Sequence, residues 1–130
     1  MHTLHQLPQF AAQPDQSGRV LTRAVLRAAD RLGLSGAPLA GILGLSTASI
    51  SRLKSGALAL MPGQKAFELG VLFVRLFRSL DAVTAGDEAM ARNWLRVPNL
   101  ALGGVPLDMV ASITGLVDVV MYLDARRAPI

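Results

Sequence analysis

Residues 37–56 read APLAGILGLSTASISRLKSG, and this stretch decides the fold. Pro38 suits the first turn of a helix, and Leu39 to Leu43 make a short helix behind it. Gly44 breaks that helix, and Ser46 is a good N-cap for a second one over Thr47 to Lys54. Gly56 closes the second helix as a C′ residue. Leu39, Ala40 and Leu43 supply the inner face of the first helix, with Leu45 plugging the space under the turn. Ile50 and Leu53, three apart, point inward from the second. Ser46, Thr47, Ser49, Ser51, Arg52 and Lys54 are left to face outward. Two short helices with small apolar groups at their contact and polar groups outside have the form of a helix-turn-helix. The other reading is an ordinary αα-hairpin.

Outward from this segment the chain continues in helical periods. Val20, Leu21, Ala24, Val25, Ala28 and Leu32 recur at steps of three and four, which predicts a helix over Arg19 to Leu32, ended by Gly33. Residues 1–18 hold Pro8, Pro14, Gly18 and several Gln without periodicity and read as a flexible N-terminal tail, with Ser17 as a cap for the helix. Gln64 to Val83 predicts a long helix whose apolar surface is wider than one stripe. Such a helix is central to a core or lies in an interface. Beyond Gly86 come a helix over Asp87 to Leu95, a loop over Val97 to Val105, a short helix from Pro106 to Ile113, and a last helix over Leu116 to Arg126. Thr114 and Gly115 read as punctuation between the final two. The expected fold is therefore all-α: a flexible tail over 1–18, a helix-turn-helix region over 19–63, and a helical region over 64–130.

Composition agrees with helices. The 130-residue chain is 52% hydrophobic but only 5% aromatic, and its mean hydropathy of +0.42 is high for a soluble monomer. Leu, Ala and Val dominate, which favours helix over sheet. An apolar excess in a small chain also points to a partner or a second copy. The absence of cysteine excludes disulfides and thiolate metal sites. His2 and His5 are spaced for a metal, but no third ligand is near them. No signal peptide and no run of about 20 apolar residues is present, so a cytoplasmic bacterial protein without a membrane span is expected.

The net charge of +4 is unevenly placed. Residues 1–65 carry seven Lys/Arg against Asp15 and Asp30, whereas residues 66–130 carry six against seven acids. The basic half suits a polyanion. Arg19, Arg23, Arg27 and Arg31 form a stripe that is either a solvated face or one turned to phosphate or a partner. Arg52 is placed to read a guanine edge, to hold a phosphate, or to pair with an acid of its own domain. An enzyme is not expected: there is no phosphate-cradling glycine motif, and the two histidines lie in the tail. Asp108 and Asp118 stand ten apart across a predicted break and make no convincing carboxylate pair.

At these residues the chain resembles a known family. PLAGILGLSTASISRLKSG, Pro38 to Gly56, resembles the Xre-type helix-turn-helix. ARNWLRVPNLALGGVPLDMV, Ala91 to Val110, followed by GLVDVVMYL, Gly115 to Leu123, resembles the toxin-binding domain of the Xre/MbcA/ParS antitoxins. Its marks are Trp94-Leu95, Pro98-Asn99, Leu102-Gly103, Pro106-Leu107 and Gly115-Leu116 with Val119. Gly103-Gly104 is followed by Val105 rather than a hydroxyl residue, so no side-chain cap is expected from position 105.

The resemblance implies a type II antitoxin, without catalysis or cofactor, that covers the active site of a RES-domain, NAD-consuming toxin and represses its own promoter. The expected partners are that toxin, double-stranded promoter DNA and a second copy of the chain. Candidate toxin-binding residues are Trp94, Pro98, Asn99, Tyr122, Arg126, Arg127 and Ile130. Trp94 is a core anchor or an interface anchor. Val119, Val120, Met121 and Leu123 read as an apolar face. Arg126, Arg127 and the carboxylate of Ile130 read as a charged terminus that enters the toxin cleft or stays solvated. The alternative function is a stand-alone helix-turn-helix regulator whose C-terminal half only dimerises.

Overall fold

The computed structural model describes residues 16–127. These form seven helices: α1 (Gln16–Arg31), α2 (Gly36–Leu43), α3 (Thr47–Ser55), α4 (Lys65–Val83), α5 (Glu88–Arg96), α6 (Pro106–Met109) and α7 (Ile113–Arg126). Among the described residues there is no strand, only one isolated antiparallel bridge between Asn99 and Gly104. No described helix is long and apolar enough to cross a membrane.

The helix-turn-helix forms as expected, and its local signals explain it. Ser46 caps α3, its hydroxyl accepting from the Ser49 amide at 3.1 Å. Gly44 and Gly56 close α2 and α3 in the left-handed conformation, which only glycine adopts freely. α2 begins earlier than expected, at Gly36, with Ser35 as its N-cap residue. Leu39, Leu43, Ile50 and Leu53 are buried between the two helices and the rest of the core.

α4 is the central element, packed against α1, α2, α5 and α7. Its Phe73, Leu76 and Leu80 are almost fully enclosed, and the buried residues of both halves of the chain form one cluster. The wide apolar surface seen in the sequence is thus mainly a core feature.

Two expectations fail at helix starts. α1 begins at Gln16, so residues 16–18 of the expected tail are helical and Ser17 lies inside the helix. The cause is tertiary: Gly18 is buried so closely against the Leu60 carbonyl that a Cβ would overlap it. Thr22 fastens the same contact, donating to the Gly18 carbonyl at 2.7 Å and receiving the Leu60 amide at 2.9 Å. Residues 1–15 of the expected tail, with His2 and His5, lie outside the described residues.

Likewise Thr114 and Gly115 do not separate two helices; they form the first turn of α7. Ser112 caps that turn, accepting from the Gly115 amide at 3.1 Å. A Cβ on Gly115 would overlap the Met109 carbonyl, so the glycine is needed for the tight α6–α7 corner. α6 consequently ends at Met109 rather than Ile113. Val105 is its N-cap residue and gives no side-chain cap.

The two halves are also pinned by polar contacts. Arg92 donates through Nε to the Arg31 carbonyl at 2.7 Å, and Arg96 reaches the Leu32 and Gly33 carbonyls at 3.1 and 3.0 Å. Two guanidinium groups of α5 thereby satisfy the carbonyl end of α1, where the helix dipole favours cations.

Candidate functional site

The first surface is the outer face of α3. Thr47, Ser51, Arg52 and Lys54 are exposed on it. The Arg52 guanidinium and the Lys54 ammonium have no hydrogen-bond or ion-pair partner among the described residues. Among the described residues Arg52 therefore pairs with no acid of its own domain. Ser46 and Ser49 serve α3 first: their hydroxyls lie 3.1 Å apart, and Ser46 holds the first turn. The surface therefore offers short hydroxyls near a helix N-terminus and two free cations near its C-terminus. Helix N-termini favour phosphate, and an unpaired arginine can make two hydrogen bonds to a guanine edge.

The second surface lies on α5, α7 and the loop between α5 and α6. Trp94 and Tyr122 stack with ring centroids 6.1 Å apart and planes at 25°. The Arg126 guanidinium carbon sits 3.8 Å from the centre of the Tyr122 ring, a cation–π contact. Trp94 and Tyr122 are both half-buried, so each packs on the core while offering an edge to a partner. Trp94 thus packs against the core with part of its side chain left exposed.

Asn99 has a structural task. Its side-chain oxygen accepts from the Leu102 amide at 3.0 Å, and its backbone pairs with Gly104. This turn follows the exposed Pro98 and holds Leu100 wholly in solvent. Sequence reasoning did not single out Leu100, whose exposure is set by this turn.

Other expectations change. Val119, Val120 and Leu123 are enclosed in the core, leaving only Met121 of the expected apolar face exposed. The period of α7 turns the first three toward its helix neighbours. Arg127 is not a loose end. It reaches the buried Ser79 hydroxyl at 3.4 Å, on a different side of α7 from Tyr122 and Arg126. Ser79 in turn donates to Asp124 at 2.6 Å, and Arg75 forms an ion pair with the same carboxylate. The Ser79 hydrogen bond, with help from Arg75 and Arg127 and against the cost of burial, holds the Asp124 carboxyl below its ordinary pKa. Ile130 lies outside the described residues.

A separate concavity of about 470 Å³ lies between α1 and α4, floored by Leu21, Phe67 and Val74. Of the residues assigned to either surface it touches only Arg127.

Comparison with known families gives two matches in tandem. Residues 12–75 match the antitoxin Xre-like helix-turn-helix domain, and residues 79–128 match the antitoxin Xre/MbcA/ParS C-terminal toxin-binding domain. The first surface falls in the former and the second in the latter. No curated protein matches the chain.

Proposed function

Because the chain belongs to the Xre-family antitoxins, with a DNA-binding domain followed by a toxin-binding domain, we propose that it neutralises a RES-domain, NAD-consuming toxin and represses its own operon. The observation that carries this reading is the Trp94–Tyr122–Arg126 stack, which together with the exposed Leu100 falls within the toxin-binding match. Trp, Tyr and Arg are the side chains that most often dominate interface energies. Here they are already held in place, so little ordering entropy is lost on binding. In this reading the platform covers the toxin's active-site cleft, and Arg126 offers it a cation.

The outer face of α3 reads the promoter, and the chain works in the bacterial cytoplasm as a dimer. A dimer places two reading helices on two half-sites, which one module cannot do. The match over residues 79–128 favours this over a stand-alone regulator whose second half only dimerises. Co-expression with the product of the adjacent gene tests it. The neighbour alone should arrest growth and deplete cellular NAD, and this chain should restore both. A neighbour that leaves NAD untouched, or one that stays toxic beside this chain, defeats the RES assignment.

A further inference from the structure

We propose that Arg19, Arg23 and Lys54 form a phosphate clamp that grips the DNA backbone beside the groove entered by α3. This rests on the DNA-binding reading above and adds α1 to the interface.

The arginine stripe of α1 does not face one way. Residues four apart on a helix drift by about 40° per step, so Arg19 and Arg31 differ by about 120° in direction. The fold uses that drift. Arg19 and Arg23 line a groove of about 430 Å³ together with Lys54 and the segment from Ser55 to Ala59. Arg27 and Arg31 line a separate depression of about 220 Å³ with Arg78, against α4. Among the described residues no carboxylate lines the first groove; Asp30 shares a smaller depression with Lys54 and forms no ion pair with it. Arg19, Arg23 and Lys54 are all exposed and lack an ion-pair partner among the described residues. Three exposed cations facing one groove concentrate positive potential and attract a polyanion.

Its walls are fixed. Gly18 and Thr22 bind α1 to Leu60, just past the groove's far end. The cations therefore stand on a rigid frame, which lowers the ordering cost of phosphate contact. The position is also right. A nine-residue helix is about 13 Å long, close to the roughly 12 Å width of the major groove. With the first turn of α3 over base edges, its last turn and Lys54 come to the phosphate rim. Arg19 and Arg23 extend that rim onto α1. Such contacts fix register and supply salt-dependent affinity without reading sequence.

The test is fluorescence anisotropy of the full chain on two duplexes of equal length, one from upstream of its own gene and one of shuffled sequence, across about 50–200 mM NaCl. Each lost phosphate contact flattens the log–log salt slope by about 0.9. Arg19→Gln/Arg23→Gln should flatten it by about 1.8, Lys54→Gln by about 0.9, and both should weaken the two duplexes by the same factor. Arg19→Lys/Arg23→Lys keeps the charges and should keep the slope. Arg27→Gln/Arg31→Gln, an equal charge change on the other side, should leave the slope as in the wild type. Circular dichroism checks that each variant is folded. An unchanged slope in the Arg19/Arg23 glutamine variant overturns the clamp, and so does an equal flattening in the Arg27/Arg31 variant. In either case the DNA-binding reading survives if the wild type still prefers the upstream duplex. A wild type that binds neither duplex overturns both.

Discussion

On α3 the outward side chains stand apart from the fold, whereas on α5 and α7 they are tied into it. Arg52 and Lys54 form no ion pair among the described residues, and both are exposed. Trp94, Tyr122 and Arg126 stack on one another, Asn99 holds its own turn, and Arg127 closes on Ser79. A face that adapts to base edges and phosphates needs free, short or flexible groups on a rigid helix. A platform for a protein partner gains from aromatic groups fixed in advance. The difference teaches that changes on α3 should affect binding alone, while changes on α5 and α7 should affect binding and stability together.

The largest effects are expected where the two regions are built, at their buried glycines. Gly115→Ala and Gly18→Ala each drive a Cβ into a backbone carbonyl. In an unconstrained helix such a change stabilises by up to about 1 kcal/mol. Here each should destabilise by about 3 kcal/mol, because backbone rather than a flexible side chain must move. With one shared core and the Arg92/Arg96 link to α1, each variant should lower a single thermal transition. Two separate transitions by calorimetry would break the picture of a single body carrying two surfaces.

Next come the paired surface variants, which sharpen the contrast directly. Trp94→Ala should weaken binding to the toxin partner by about 2 kcal/mol, or about 30-fold. It should also lower stability by about 2 kcal/mol, since the half-buried ring packs on the core. Arg52→Ala should weaken upstream-duplex binding by about 1–3 kcal/mol and change stability by less than about 0.5 kcal/mol. Calorimetric titration with the partner, gel shift and chemical denaturation read the three quantities. Equal stability losses in the two variants would erase the distinction.

The smallest effect probes the tied end of α7. The Ser79 hydroxyl, then Arg75 and Arg127, hold the Asp124 pKa below its ordinary 3.8 despite opposing burial. A carboxyl lowered in the folded state adds stability above its unfolded pKa and loses it as pH falls through the folded value. Asp124→Asn should therefore cost about 1 kcal/mol near pH 7. That difference should shrink as pH drops below about 4, toward zero once the wild-type carboxyl is protonated in both states. Thermal melts of both proteins across that range check it; a difference that stays constant with pH would assign the effect to packing.

Much of the first region was legible because its signals are local. Ser46, Gly44 and Gly56 act within a turn of their own helices, and apolar spacing alone marks Leu39, Leu43, Ile50 and Leu53 as inward. The second region was readable mainly through its similarity to a family. Its residue pattern named Trp94 and Tyr122 but not their stacking, and it mistook Val119, Val120 and Leu123 for a surface. An apolar stripe on a helix shows which residues avoid water, not whether a core or a partner shields them.

The sequence by itself determined the all-α class, the helix-turn-helix with its caps, the basic first half, and which groups of α3 face outward. These follow from backbone propensity, capping and period, each acting over a few residues. Only the tertiary structure decided that α1 starts at Gln16, that Gly115 begins a helix, that Arg92 and Arg96 finish α1 from about 60 residues away, and that the arginine stripe divides between two faces. Those outcomes depend on which backbone carbonyl or helix lies opposite a given side chain, and that is set by how α4 gathers its neighbours rather than by any local run of residues.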